Sequence, residues 1–149
     1  MYELKYHHNI GLGERLAKEL VKLIESLRWK CDMVIPLPLG SERLKERGYN
    51  QAMLLAGPIA WDLHLPLQRQ AVKRVKETQS QVGLSRRQRI GNVRQAFDAE
   101  PLYVTGKQIL LVDDVVTTGA TINAYAKALK DAKAESVYGL TLARSIHLY

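Results

Sequence analysis

The segment at residues 109–121 has the sequence ILLVDDVVTTGAT and constrains the fold more than any other part of the chain. Four apolar residues are followed at once by two acids, which is typical of a strand that is buried on both faces and ends at a polar edge. In a parallel sheet, ligands bind outside the carboxyl ends of the strands. We therefore expect Asp113 and Asp114 to lie at a ligand-binding edge.

The two acids and the residues after them have complementary chemistry. Unpaired buried charge is costly, so the acids should face a cation or accept hydrogen bonds, and a ribose diol supplies two hydroxyl donors side by side. The next residues are small or hydroxyl-bearing and enter a predicted helix, where free N–H groups favour an anion: Thr117, Thr118, Gly119, Ala120 and Thr121. This spacing predicts a ribose 5-phosphate site, with the sugar hydroxyls on the acids and the phosphate in the loop.

Two other interpretations of this segment fit the sequence less well. In the first, the acids cap a helix and the threonines are ordinary residues of its first turn. No capping rule asks for the whole string of apolar residues, acids, threonines and glycine. The second interpretation, a Walker phosphate loop, is excluded because the defining Gly-Lys-Ser/Thr signature is missing.

The rest of the chain alternates between strand and helix patterns. Strands are predicted at residues 33–35, 67–75, 108–112 and 136–143, and helices at 12–27, 41–63 and 121–134. Gly57-Pro58 should kink or divide the second helix, because proline lacks the N–H that a helix interior needs. Strands separated by helices indicate an α/β fold with a parallel sheet. The length of 149 residues predicts a single domain, residues 1–149.

The formal net charge of +7 comes from one segment rather than from the whole surface. Residues 69–95 carry eight basic residues and one acid, whereas the segments on either side are close to neutral. The basic segment shows no clear helix or strand periodicity, which predicts a flexible loop at residues 73–97. A solvated run of charge with no ligand is the alternative.

Several residue types exclude other classes of protein. Cys31 is the only cysteine, which rules out an internal disulfide and a zinc site of several thiolates. No membrane span or signal peptide is apparent, so we expect a cytoplasmic protein. His7 and His8 have no cluster of ligands beside them, which favours ordinary surface histidines. Trp29 and Trp61 adjoin apolar stripes and are expected in the core.

The order of four apolar residues, two acids and a Thr-Thr-Gly-x-Thr loop resembles the ligand motif of type I phosphoribosyltransferases. Four strings ahead of it resemble the ComF family, the competence-associated branch: LKYHH, VIPLPL, ERGYNQA and QVGLSRRQRIGNVRQAF. The similarity covers residues 2–145. It implies a type I phosphoribosyltransferase fold, an α/β parallel sheet flanked by helices with a flexible hood. Members commonly begin with a cysteine-rich zinc module, which this sequence lacks.

The resemblance also implies roles for individual residues. Asp113 and Asp114 would meet the ribose hydroxyls and residues 117–121 would hold the 5-phosphate, as their chemistry already suggests. The loop after the first strand would lie against the pyrophosphate, with two arginines nearby: Pro38, Leu39, Gly40, Arg43 and Arg47. For these arginines the alternative is a solvated helix face paired with Glu42 and Glu46.

A hood of the kind found in the related amidophosphoribosyltransferases would close over the ligand. Gln81, Arg89 and Asn92 fall in the matching stretch, and Arg89 is the residue expected on the pyrophosphate. Arg89, Asp113 and Asp114 are therefore the candidate catalytic residues. Magnesium would enter with the ligand rather than in a protein cage, with Asp113 or Asp114 contacting it through water.

Three functions remain open from the sequence. The first is an enzyme that transfers phosphoribose from phosphoribosyl pyrophosphate to an unidentified nitrogen acceptor. The second is an adaptor that binds the same ligand or a nucleotide without catalysis. The third is a module of the DNA uptake machinery that contacts single-stranded DNA through residues 69–95, although this segment lacks the aromatic residues on which bases stack. A competence helicase is a further candidate partner. A homodimer is a further expectation, and neither a general base nor an acceptor pocket is evident.

Overall fold

The computed structural model describes residues 10–74 and 97–144. Its helices and strands follow one another in the order α1 (Ile10–Ser26), β1 (Met33–Pro36), α2 (Ser41–Arg47), α3 (Gln51–Asp62), β2 (Val72–Arg74), β3 (Phe97–Ala99), α4 (Pro101–Val104), β4 (Gln108–Val116), α5 (Ala120–Asp131) and β5 (Ser136–Arg144). None of the helices within these ranges is long and apolar enough to cross a membrane.

Three parallel strands form the central sheet in the order β1-β4-β5. Val34 pairs with Leu110, and Val112 pairs with Leu140, so the three apolar runs lie side by side. On the other side of β1, Leu67 forms a single parallel bridge to Val34. The predicted α/β architecture with a parallel sheet is confirmed.

Helices cover both faces of the sheet, and the side chains of β4 alternate between them. Leu110 and Val112 pack with the buried faces of α1 and α3. Ile109 and Leu111 pack on the opposite side with α5, around the buried ring of Tyr125. The continuous apolar run of β4 is therefore explained, because a strand covered on both faces needs apolar residues at every position.

The helical segment divides before Gly57-Pro58, where a kink or a division was predicted, so the predicted division at that point is wrong. Gly48 adopts a left-handed φ of 74°, and its N–H donates to the Leu44 carbonyl at the end of α2. Asn50 then caps α3, its side-chain oxygen accepting a hydrogen bond from the Ala52 N–H at 3.1 Å. A left-handed glycine and an asparagine cap are strong stop and start signals, and here they outweigh the proline.

Pro58 lies inside the continuous helix α3. A helical proline leaves the carbonyl four residues earlier without its N–H partner, which here is the carbonyl of Leu54. That oxygen faces α1 at Gly13, where an added Cβ atom would lie 3.1 Å from it. The close approach of the two helices thus uses a glycine of α1 opposite the carbonyl that the proline has freed.

The strand predicted at residues 67–75 is two separate pieces. Leu67 bridges β1, whereas β2 pairs antiparallel with β3 in a second, two-stranded sheet. Exposed Arg69 and Gln70 form a bend between the two pieces, which redirects the chain. The two strands bracket the predicted hood, and its residues Gln81, Arg89 and Asn92 lie outside the described residues.

The two tryptophans differ in their surroundings. Trp29 is half-buried and its ring stacks on Tyr138 with centroids 4.8 Å apart, as a residue packed against the core should. The prediction that Trp61 lies in the core is wrong, because its side chain is 80% exposed. Ile59 and Ala60 occupy the sheet-facing stripe of α3, and the 3.6-residue period turns the next position towards solvent.

Candidate functional site

The two acids lie within β4 rather than after its end. The strand was expected to stop at residue 112, but its ladder with β5 continues, with Asp113 opposite Thr141 and Val116 opposite Arg144. The strand is longer because β5 supplies backbone partners for these polar positions. Both acids are half-buried at the carboxyl edge of the sheet, as predicted.

The carboxylates of the acid pair are held by the backbone of the same strand. The Asp114 N–H donates to Asp113 Oδ1 at 2.8 Å, and the Val115 N–H donates to Asp114 Oδ1 at 2.8 Å. Burial raises the pKa of Asp113 to about 6; the neighbouring charge of Asp114 adds to this, and the backbone N–H opposes it. A negative charge on Asp113 is therefore undercompensated in this structure.

A tight turn leads from the acids into α5. Gly119 has a left-handed φ of 76° and precedes the first residue of the helix. Thr118 Oγ1 accepts a hydrogen bond from the Ala120 N–H at 3.3 Å, and the side chains of Thr117 and Thr118 are exposed. The N–H groups of the next residues, Thr121 among them, begin a twelve-residue helix and have no partner within its first turn. Hydroxyls, free N–H groups and the helix dipole together make this turn suitable for a phosphate.

The loop after β1 is fastened beside the acids. The Leu37 N–H donates to the Val112 carbonyl at 2.8 Å, and Asn50 Nδ2 donates to the Leu37 carbonyl at 2.9 Å. These two bonds hold the loop of Pro38, Leu39 and Gly40 at the same edge of the sheet as Asp113. The expectation that this loop lies near the ligand is therefore consistent with the geometry.

The two candidate arginines are located on α2, directly after that loop. Arg47 is its last residue and is half-buried. It forms no ion pair with Glu42 or Glu46, whose side chains are exposed, so the alternative of a paired surface helix gains no support at this position. Arg43 belongs to the same helix, and the orientation of its side chain lies outside what is described.

Sequence reasoning missed three residues at this edge. Asn50 both caps α3 and ties its start to the β1 loop, a role that the Gly-Tyr-Asn order before an apolar helix could have signalled. Thr141 lies opposite Asp113, and Arg144 lies opposite Val116, only because of the register of β5. No local signal could have identified them, because strand register depends on the assembled sheet.

Comparison with known proteins agrees with this geometry. Residues 5–148 match the family model described as the phosphoribosyl transferase domain. The chain belongs to this family. It is 39% identical over 148 residues to competence protein F of Haemophilus influenzae, covering 95% of this chain and 65% of that protein. It is 38% identical over 115 residues to competence protein ComFC of Bacillus subtilis, covering 76% of this chain and 45% of that protein.

These relatives confirm the predicted resemblance to the ComF family, and the chain spans 65% and 45% of their lengths. Among solved structures, the fold is similar to glutamine phosphoribosylpyrophosphate amidotransferase of B. subtilis, with a TM-score of 0.60 at 20% identity over 87% of this chain and 26% of that one. It is equally similar to adenine phosphoribosyltransferase of Saccharomyces cerevisiae, with a TM-score of 0.60 at 16% identity over 93% and 71% of the two chains. The type I phosphoribosyltransferase fold is confirmed.

Proposed function

We propose that this protein binds phosphoribosyl pyrophosphate with Mg²⁺ and transfers phosphoribose to an unidentified nitrogen acceptor, in a role linked to competence. One observation carries the proposal: the acid pair Asp113-Asp114 and the left-handed turn at Gly119 lie at the same edge of the sheet. Acceptors for a sugar diol and donors for a phosphate are thereby a few residues apart, which is the spacing that a ribose 5-phosphate requires.

The ligand would lie across the carboxyl edge with its two charged ends apart. Its 5-phosphate would meet the N–H groups and hydroxyls of residues 117–121, and its ribose hydroxyls would donate to Asp113 and Asp114. The pyrophosphate would then extend towards the loop of residues 38–40, with Arg47 at the end of α2 close by. The two hydrogen bonds at Leu37 support this placement, because they fix that loop beside β4.

The acid pair also has the chemistry to accept a magnesium ion. Mg²⁺ prefers oxygen ligands and usually combines one or two carboxylates with substrate phosphates and water. The raised pKa of Asp113 supports the fit, since a nearby cation would favour its ionised form. When bound, the ion would supply positive charge next to the pyrophosphate, the leaving group of the reaction.

The protein's own groups would act mainly by orientation and electrostatics. The acids would hold the ribose so that its C1 faces the acceptor, and basic residues would stabilise the negative charge that grows on the leaving pyrophosphate. Arg89 remains our candidate for that second role, and it belongs to the predicted hood outside the described residues. Hood closure would exclude water from the activated sugar. We also propose a cytoplasmic location, where the protein would meet this ligand.

A pyrophosphate-release screen over nucleobases and amine donors tests transfer. We expect release that depends on one acceptor class and on Mg²⁺, and that falls by at least about a hundredfold in an Asp113→Asn/Asp114→Asn variant. Asp62→Asn, an exposed acid at the far end of α3, is the matched control and should retain activity. Tight ligand binding with no pyrophosphate release in the presence of any acceptor would contradict transfer. It would favour the non-catalytic adaptor instead.

The DNA-contacting module is the second candidate, and the charge pattern favours it. Eight basic residues fall within residues 69–95, a density that would suit phosphate contacts along a single strand. If this segment binds DNA, replacing Arg86, Arg87 and Arg89 by alanine should lower the slope of log affinity against log salt concentration by about 2 to 3. An unchanged slope would remove this candidate.

A further inference from the structure

Gln51, the first residue of α3, is an unusual component of the core. It is 2% exposed and is the one polar side chain among the fully buried residues of the described chain. Its Nε2 atom is buried and has no hydrogen-bond partner. A buried donor without an acceptor is costly, and folded proteins rarely retain one without a reason.

The start of α3 is linked to the acid-bearing strand by two hydrogen bonds. Asn50, the residue before Gln51, donates to the Leu37 carbonyl, and the Leu37 N–H donates to the Val112 carbonyl. Val112 is two residues before Asp114 in β4. Gln51 therefore begins its helix at the ligand-binding edge of the sheet, not at the opposite one.

The direction of the Gln51 side chain follows from the buried stripe of α3. Its buried positions recur with the helical period and face the sheet: Gln51, Ala52, Leu55, Ala56, Ile59 and Ala60. Leu55 belongs to the same buried cluster as Leu110 and Val112 of β4. Gln51 thus occupies the next position of that stripe towards the carboxyl edge.

Asp114 occupies the next position on the facing strand. Side chains alternate along a strand, so Asp114 projects from the same face of β4 as Leu110 and Val112. One helical turn separates Gln51 from Leu55, about 6 Å along the axis, and two strand residues separate Asp114 from Val112, about 6.6 Å. These steps nearly match, so the buried amide and the second acid of the pair each follow the Leu55, Leu110 and Val112 cluster towards the carboxyl edge by a similar distance.

We propose that Gln51 is a positioning residue for Asp114. Asp114 uses Oδ1 to accept the Val115 N–H, and its carboxylate has further capacity for a donor. When ribose is bound, the Gln51 amide, which has no partner in this structure, supplies that donor from the α3 side and holds the carboxylate with its remaining lone pairs towards the ribose hydroxyls. A carboxamide suits this task because it orients the acid without neutralising it. The inference rests on the proposed function, in which Asp114 binds ribose.

A comparison of two sugar phosphates tests this role. Ribose 5-phosphate and 2-deoxyribose 5-phosphate carry the same phosphate and differ by one hydroxyl, so their affinity ratio reports on the acid pair alone. The proteins to titrate by calorimetry are the parent, Gln51→Met, which keeps the length but lacks the donor, and Gln51→Glu, which keeps the shape but reverses the hydrogen-bonding character. Gln108→Met is the matched control, since it makes the same change at the opposite edge of the sheet.

We expect the parent and Gln108→Met to prefer ribose 5-phosphate. Both Gln51 variants should lose roughly tenfold in affinity for ribose 5-phosphate, the effect of one hydrogen bond to a charged group, and little for the deoxy sugar. The ratio of the affinities for the two sugar phosphates would then fall towards one in either Gln51 variant that folds. If Gln51 had a purely structural role, its replacement would leave this ratio unchanged. A parental ratio in both variants would overturn the inference and leave the proposed function standing. Failure of the parent to bind either sugar phosphate would overturn the inference, and titration with phosphoribosyl pyrophosphate would decide the proposed function separately.

Discussion

A Cβ atom added to Gly139 would lie 2.9 Å from Ile122 Cδ1. Gly139 is in the middle of β5 and Ile122 is in the first turn of α5, so this contact joins the sheet to the start of the helix. The two residues also line a cavity of about 280 Å³ that extends to Thr141 and Asn123. An added Cβ atom would therefore displace the end of a side chain that has the cavity beside it.

Replacing Gly139 by alanine should turn Ile122 Cδ1 aside. Because that atom is the end of a side chain that borders the cavity, we expect only a small loss in the free energy of unfolding, at most about 1 kcal/mol. Gly57→Ala is the comparison without a tertiary contact: an added Cβ there meets nothing within 4 Å outside its chain neighbours. The usual gain of a helical alanine is not expected, because the ring of Pro58 disfavours a helical residue with a Cβ directly before it. Urea unfolding measures both, and equal changes of the same sign would show that the contact is not tight.

Gly119 provides a test of the proposal that the turn before α5 binds a phosphate. Its φ of +76° is strained for any residue with a side chain, so Gly119→Ala should cost about 1 kcal/mol and weaken the binding of ribose 5-phosphate. Gly106, with a φ of +68° and no atom near its Cβ position, lies away from this turn. Gly106→Ala should show the same stability loss by urea unfolding but full affinity by calorimetry. Weakened binding in both variants would mean that strain alone is responsible.

Lys133 adopts a conformation that glycine usually supplies at the end of a helix. Its φ is 69°, and the chain closes α5 through the Ala134 N–H, which donates to the Leu129 carbonyl at 3.0 Å. Lys133→Gly should therefore raise the free energy of unfolding, by about 0.5–1 kcal/mol. Lys133→Ala, which keeps the strain, controls for the lost charge and should leave stability nearly unchanged in thermal unfolding. A glycine variant no more stable than the alanine variant would contradict the prediction.

The pH dependence of stability should show the raised pKa of Asp113. Its folded value is about 6, against an ordinary value of 3.8, so between these pH values the folded state holds the proton more tightly than the unfolded state. The stability that this proton contributes is present below pH 4 and is lost as the pH rises through 6. The difference in unfolding free energy, Asp113→Asn minus parent, should thus increase by up to about 3 kcal/mol from pH 4 to 7. A flat difference in urea titrations would show that the pKa is not raised.

Much of the fold could be predicted because its determinants are local. The apolar runs of β1 and β4 show no alternation, which indicates strands covered on both sides, and both strands belong to the parallel sheet. Likewise, the acid pair and the glycine turn are encoded within thirteen consecutive residues, so their place at one edge follows from a single strand and the helix after it.

The errors arose where the outcome depends on parts of the chain that are distant in sequence. Pro58 does not divide its helix, and the carbonyl that it frees at Leu54 lies against a glycine of α1, which is distant in sequence. The strand of the acids continues to Val116 because β5 lies alongside it to Arg144. Trp61 is on the solvent side of α3, and its apolar character alone could not show which way it faces.

Calorimetric titration with phosphoribosyl pyrophosphate, with and without Mg²⁺, is the most direct test of the central claim that the acid pair and the turn after β4 bind this ligand. We expect the parent and the Asp62→Asn control to bind it more tightly when Mg²⁺ is present. The Asp113→Asn/Asp114→Asn variant should lose at least about tenfold in affinity, since two charged hydrogen-bond acceptors are removed. Negligible heat for the parent, or equal affinity in the parent and the double variant, would contradict the account.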